Sequence, residues 1–234
     1  MKKNKFVSGM AAMAFTFLVA GCVIGPRLKT FGPSVPEEER FQLLISPYIR
    51  MDKIDGKLVL WGARQYWATT VNMPVGRHTF DFGYQEGLEV SGNTIIRANG
   101  FHLEGNFEAG LAYRLKPIVR GNQVSCQLIQ NGVADWVIPG PNETLVIFYL
   151  PQNVSGGLEI YVEGEYALEL NAKQTAQILL SYGNHSLQAR YTGTGLLSEP
   201  LIITADSNSV TYIMNIGKWG MGDKNTPASF TLQQ

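Results

Sequence analysis

Two stretches of the chain, Pro74-Val75-Gly76-Arg77-His78-Thr79-Phe80-Asp81-Phe82-Gly83-Tyr84 and Ser181-Tyr182-Gly183-Asn184-His185-Ser186-Leu187-Gln188-Ala189-Arg190-Tyr191, are relatives of one another. Gly76 and Gly183, His78 and His185, and Tyr84 and Tyr191 are each separated by 107 residues. Upstream, Asp55-Gly56-Lys57 returns as Glu163-Gly164-Glu165 at a spacing of 108. Solenoid repeats run about 20–50 residues, so a period this long is that of a duplicated small domain.

The residues between these landmarks specify strands. Lys57-Leu58-Val59-Leu60-Trp61, His78-Thr79-Phe80-Asp81-Phe82, Leu158-Glu159-Ile160-Tyr161-Val162 and Val210-Thr211-Tyr212-Ile213-Met214 are short apolar or alternating runs. Glycine-bearing turns divide them, the pattern of antiparallel strand, turn, strand. No convincing helical stripe follows residue 41; residues 169–181 come nearest, and their alignment to the first copy argues for strands. The expected fold class is all-β, with two tandem small antiparallel β-sandwich modules over 41–130 and 143–217. The first carries a longer excursion over 85–106. One larger sandwich with internal pseudo-symmetry is the alternative parsing. Residues 218–223 are glycine-rich and read as loop, and 227–234 as an added edge strand within a tail, 218–234.

The amino terminus is of another kind. Lys2, Lys3 and Lys5 precede a mostly apolar segment over 6–20, which ends in Leu18-Val19-Ala20-Gly21-Cys22. About fifteen apolar residues are too few for a bilayer-spanning helix, which needs roughly 20, and have the proportions of an export signal. The segment resembles a bacterial lipoprotein signal peptide with its Leu-x-Ala-Gly-Cys lipobox. That resemblance implies cleavage after Gly21 and acylation of Cys22, which becomes the new amino terminus. Two or three acyl chains on one residue give stable anchoring, whereas one is marginal. Residue 23 is Val rather than the Asp that retains enterobacterial lipoproteins at the inner membrane, so the resemblance favours the outer membrane; whether the protein faces the periplasm or the exterior is left open. Residues 22–40 hold Gly25, Pro26, Gly32, Pro33 and Pro36 and are expected to form a tether. Fully extended, 23–40 would reach about 60 Å.

The order of strand, Asp/Glu-Gly turn, strand, short strand, Gly-x-His-x-Leu/Phe strand and final Tyr-bearing strand resembles PEGA-type modules, small bacterial β-sandwiches of envelope proteins. The copy over 143–217 fits better than that over 41–130. Neither contains the Pro-Glu-Gly-Ala signature.

Composition narrows the function classes. Charged residues are 16% and hydrophobic ones 45% of the chain, which describes a globular protein rather than a disordered one. Without residues 1–21 the chain loses Lys2, Lys3 and Lys5 and no acid, leaving 16 basic against 19 acidic groups, a net of −3. No basic stripe offers itself to nucleic acid. With Cys22 lipidated, Cys126 has no intrachain partner, so no internal disulfide is expected, and its place in an alternating run suits a small apolar filler.

The search for chemistry yields no catalytic residue, no metal site and no cofactor. His78 and His185 occupy equivalent repeat positions, where a shared demand of the fold explains both, and His102 lacks ligands at metal spacing. No Asp-x-Asp-x-Asp-Gly loop, Gly-x-Ser-x-Gly elbow or phosphate-binding glycine loop occurs. The clearest unmatched cluster is Trp61, Arg64, Tyr66 and Trp67, since the aligned 168–175 has no aromatic residue. These side chains suit a contact surface for protein or glycan; the alternative is that they cover the first core or the seam between copies. The expected protein is a non-enzymatic, lipid-anchored envelope lipoprotein that binds or scaffolds, its membrane contact through the lipid and its partner an envelope protein or glycan. A structural subunit of an envelope assembly is the alternative, and a cell-envelope hydrolase a more distant one.

Overall fold

The computed structural model describes residues 27–46, 48–61, 69–86, 96–152, 157–206, 209–215 and 227–233. These form an all-β chain, as the period-two patterning predicts. The strands of the first half are Arg27–Thr30 (β1), Arg40–Ile45 (β2), Ile49–Ile54 (β3), Lys57–Trp61 (β4), Thr69–Pro74 (β5), Gly76–Glu86 (β6), Ile96–Phe107 (β7), Leu111–Arg120 (β8) and Gln123–Val133 (β9). Those of the second are Glu143–Leu150 (β10), Leu158–Val162 (β11), Glu165–Leu170 (β12), Gln174–Ser181 (β13), Gly183–Tyr191 (β14), Leu201–Ala205 (β15), Val210–Asn215 (β16) and Ser229–Leu232 (β17).

The pairings repeat from one half to the other. β2 pairs antiparallel with β5 and parallel with β8, as β10 does with β13 and β16. β3 lies between β4 and β6, as β11 lies between β12 and β14, and β7 and β15 continue those sheets. β8–β9 and β16–β17 are corresponding antiparallel pairs. Each half packs its own core. Phe41, Leu43, Met73, Phe80, Phe82 and Phe107 are central to the first, and Val146, Phe148, Ile160, Leu168, Leu187 and Tyr191 to the second.

The two halves share one sheet. Its nine strands run β1-β5-β2-β8-β9-β13-β10-β16-β17, with four-stranded sheets β4-β3-β6-β7 and β12-β11-β14-β15 beside it. The joint is a single ladder position, Val133 against Gln177. Gly132 allows it: its φ is +81°, and a Cβ there would run into the carbonyl oxygen of Gln177. Gln177 Nε2 then donates to the Ala134 carbonyl at 2.6 Å, fixing the linker as it leaves the joint.

One boundary differs from the sequence expectation, and the expected carboxy-terminal edge strand is present. Within the expected tether, Arg27–Thr30 pairs in parallel with β5, and residues 37–39 form a 3-10 turn. Proline and glycine flank this strand but are absent from its four residues, and proline is tolerated beside an edge strand because its missing N–H need not face a neighbour. At the other end, Ser229–Leu232 closes on β16 as the edge strand of the second half.

Candidate functional site

The repeated landmark is a hydrogen-bonded corner. Asp55 (φ 51°) and Gly56 (φ 71°) form a two-residue hairpin with both residues left-handed, as do Glu163 (φ 51°) and Gly164 (φ 82°). A carboxylate residue accepts that uncommon conformation because its side chain ties down the next strand. Asp55 Oδ1 accepts from the Thr79 N–H at 3.0 Å, and Glu163 Oε1 from the Ser186 N–H at 3.0 Å. His78 reaches Asp55 Oδ2 through Nδ1 at 2.7 Å and the Pro74 carbonyl through Nε2 at 2.8 Å. His185 repeats both contacts, with Glu163 at 3.3 Å and the Ser181 carbonyl at 2.8 Å.

His102 lies elsewhere, on β7, paired with Asp81 at 2.7 Å on the exposed face of its sheet. The structure therefore brings no two of the three histidines together. Among the described residues, no group of three His, Cys, Asp or Glu side chains could hold a metal ion. His78 is buried against Phe41 and Phe107 and both its nitrogens are engaged, so His78→Ala should cost about 1–3 kcal/mol, from two lost hydrogen bonds and the space left beside the two rings. The exposed His102→Ala should stay within about 0.5 kcal/mol. Urea unfolding midpoints of the two variants separate these outcomes, and equal losses would remove the structural reading of the corner.

Of the aromatic cluster, Trp61 ends β4, its backbone opposite Met51. Arg64, Tyr66 and Trp67 lie outside the described residues, as does Cys22. Cys126 is free and half-buried, and burial pushes its thiol up to about 12, so it is a poor nucleophile.

The group that sequence reasoning missed is a charged seam between the halves. The outward-facing residues of β8 and β9 meet the outward-facing residues of β11, β12 and β14. Glu159 and Glu169 are directly opposed across the β11–β12 ladder, an arrangement that repels unless a cation intervenes. Lys116 is that cation: its Nζ lies 2.6 Å from Glu159 Oε1 and 2.8 Å from Glu169 Oε2. Arg190 Nε donates to Glu159 Oε2 at 2.7 Å, and the Tyr161 hydroxyl donates to the same oxygen at 2.8 Å. Arg114, only 2% exposed, donates to the Glu169 carbonyl at 2.7 Å.

Asn131, fully buried, completes the seam by acting as a strand in miniature. Its Nδ2 donates to the Glu169 carbonyl at 3.2 Å, and its Oδ1 accepts from the Glu169 N–H at 2.8 Å, satisfying both backbone groups of one residue on the β12 edge. Tyr166 adds its hydroxyl to Asn131 Oδ1 at 3.3 Å and lies under Lys116, 5.6 Å from ring centre to Nζ. Burial opposes the charge on Glu159, yet hydrogen bonds from Lys116, Tyr161 and Arg190 hold its carboxyl below the ordinary range. Burial likewise opposes the charge on Lys116, and the Glu169 and Glu159 carboxylates outweigh it, holding the ammonium above its ordinary value. Desolvation, with the neighbouring Glu159, pushes Tyr161 up to about 12. No family profile and no curated protein matches the chain. The seam's chemistry is positional: its charges pair with one another and with the β12 backbone, fixing one half against the other.

The sequence does carry a trace of this seam. Arg114 and Lys116 alternate on one face of β8, and Glu159 and Glu169 interrupt runs of leucine and isoleucine. Each alone reads as an ordinary solvated face. What joins them is the contact between two outer faces, which no local pattern encodes.

Proposed function

We propose that this is an exported, lipid-anchored envelope protein with a non-enzymatic binding or scaffold role, built as two tandem β-sandwich modules of PEGA-like layout. The observation that carries the reading is Leu18-Val19-Ala20-Gly21-Cys22 behind a lysine-bearing apolar leader. Acylated Cys22 would insert in the membrane, with Val23 favouring the outer one. Arg27 begins β1 only five residues later, so the chain between lipid and sheet spans at most about 18 Å. The first half would therefore stand against the lipid surface.

The rigid seam supports a scaffold role, because it holds any surface on one half in a set relation to the other. Both ring nitrogens of His78 and of His185 are used within their own corners, which favours binding over hydrolysis. Trp61, Arg64, Tyr66 and Trp67, around the β4–β5 connection, remain the proposed surface for an envelope protein or glycan. A mature net charge of −3 argues against a nucleic-acid partner.

Cys22→Ser should move the protein from the membrane pellet to the soluble fraction and abolish incorporation of labelled fatty acid, with the melting temperature of the β domain unchanged. A Cys22→Ser chain that still pellets with membranes and carries label would end this reading.

A further inference from the structure

The two halves leave corresponding faces of the nine-stranded sheet in different states. In the first half, β2 is buried on both faces: Phe41, Leu43 and Ile45 in the core, and Gln42 and Leu44 on the far side. The seam covers Arg114 next to them, and Val137 of the linker lies against Gly110. In the second half, β10 alternates strictly, with Thr144, Val146, Phe148 and Leu150 buried and Leu145, Ile147 and Tyr149 partly exposed. Ladder registers match Leu44 to Ile147, Arg114 to Thr211 and Lys116 to Ile213. Where the first half carries the cations of the seam, the second carries uncharged residues.

Leu145, Ile147, Tyr149, Leu179 and Ile213 thus form a partly exposed apolar strip across three adjacent strands. Around it on the same face stand the uncharged Thr175, Thr211 and Thr231, while Glu143 lies at the end of β10 with its carboxylate accepting from the Gly140 N–H at 2.9 Å. We propose that this face is the interface of a two-fold homodimer, in which the β13-β10-β16 strips of two copies pack face to face.

Three features select a second copy. A two-fold interface sets each residue against its own kind or its neighbours, so a charged face would repel itself; this one carries no charge across its middle. Head-to-tail assembly, repeating the internal seam, is disfavoured. The face that would have to dock holds Arg50, Lys53, Asp81 and His102 around Leu58, and these charges would be buried against an apolar strip. β1 also already occupies the β5 edge at Thr70, which corresponds to the Gln177 position of the internal joint. A lipid occupant is disfavoured by place: β10 lies six strands from β1, about 29 Å along the sheet at roughly 4.8 Å per strand.

Facing sheets pack about 10 Å apart, within reach of a short bismaleimide. Ile147→Cys in the full lipidated chain, in detergent and in native membranes, should give a crosslinked species of twice the chain mass. Wild type, whose free thiol in the lipidated chain is the half-buried Cys126 of β9, and Thr204→Cys, on the other sheet, should not. Ile147→Asp should reduce the sedimenting mass from two chains to one while the melting transition persists. A monomeric wild type, an Ile147→Cys adduct of any mass other than twice the chain, or an Ile147→Asp variant that loses membrane association while its mass is unaltered would each overturn the proposal. The Cys22→Ser fractionation is read independently, so loss of the dimer and loss of the anchor cannot be confused.

Discussion

Lys116→Met should lower the melting temperature at neutral pH by roughly 6–12 °C. The variant keeps the length and packing of the side chain but removes the cation shared by Glu159 and Glu169. Breaking a buried ion pair from one side costs about 3–5 kcal/mol, and the partial exposure of Lys116 places this case at the lower end. Near 200 residues, each kcal/mol moves the transition by about 2–4 °C. The pH dependence separates charge from packing. Glu159 is held below its ordinary value when folded, so its contribution is complete above about pH 4.3, the unfolded value, and is lost as pH falls through the lower folded one. Lys116 is held above its ordinary value, so its contribution is complete below about pH 10.4 and is lost as pH rises through the higher folded one. The gap between wild type and Lys116→Met should therefore be widest between about pH 5 and 10 and close in acid as Glu159 takes up its proton. Adding Glu159→Gln should recover part of the loss at neutral pH. A deficit of equal size at pH 3 and pH 7 would assign the effect to packing and refute the electrostatic account.

Legibility from sequence followed the range of the interaction. Hairpins such as Asp55-Gly56 and Glu163-Gly164 are set by two residues and their flanking alternation, so they were readable locally. The Gly-x-His corners were readable because they occur twice at one spacing, and their partners Asp55 and Glu163 were found by the same repeat. Strand β1 reads as tether in the sequence because proline and glycine on either side outweigh four residues that pair only with a distant strand, β5. The seam leaves only a faint trace in the sequence, for a related reason. Arg114 and Glu169 are 55 residues apart and belong to different halves, and the duplication that revealed the corners hides the seam. At the matching positions of β16 stand Thr211 and Ile213, so comparing the copies marks Arg114 and Lys116 as mere surface variation. They differ because only one of the two equivalent faces meets the other half.

The steepest loss from a single methyl group should come at Gly132. Gly132 and Gly164 share a positive φ, +81° and +82°. Alanine at either must enter the left-handed region, at a cost of about 1–2 kcal/mol. Their surroundings differ. Nothing lies within 4 Å of a Cβ built on Gly164, whereas one on Gly132 meets the Gln177 carbonyl oxygen. That obstacle is backbone, held by the Val133–Gln177 ladder position and by the Gln177 side chain's bond to Ala134, so it cannot swing aside as a flexible side chain would. Relief requires β9 to separate from β13, which pulls Asn131, the adjacent residue, away from both backbone groups of Glu169. Gly132→Ala should therefore cost about 3–5 kcal/mol, in the range of exceptional single substitutions, against about 1–2 for Gly164→Ala. Native-state hydrogen exchange should show the difference in kind: faster exchange at the Glu169 N–H in Gly132→Ala, with the first-half β2–β5 ladder still protected. Equal melting temperatures for the two alanine variants would mean that the halves are not locked together at this glycine, and that the sheet tolerates a gap between β9 and β13.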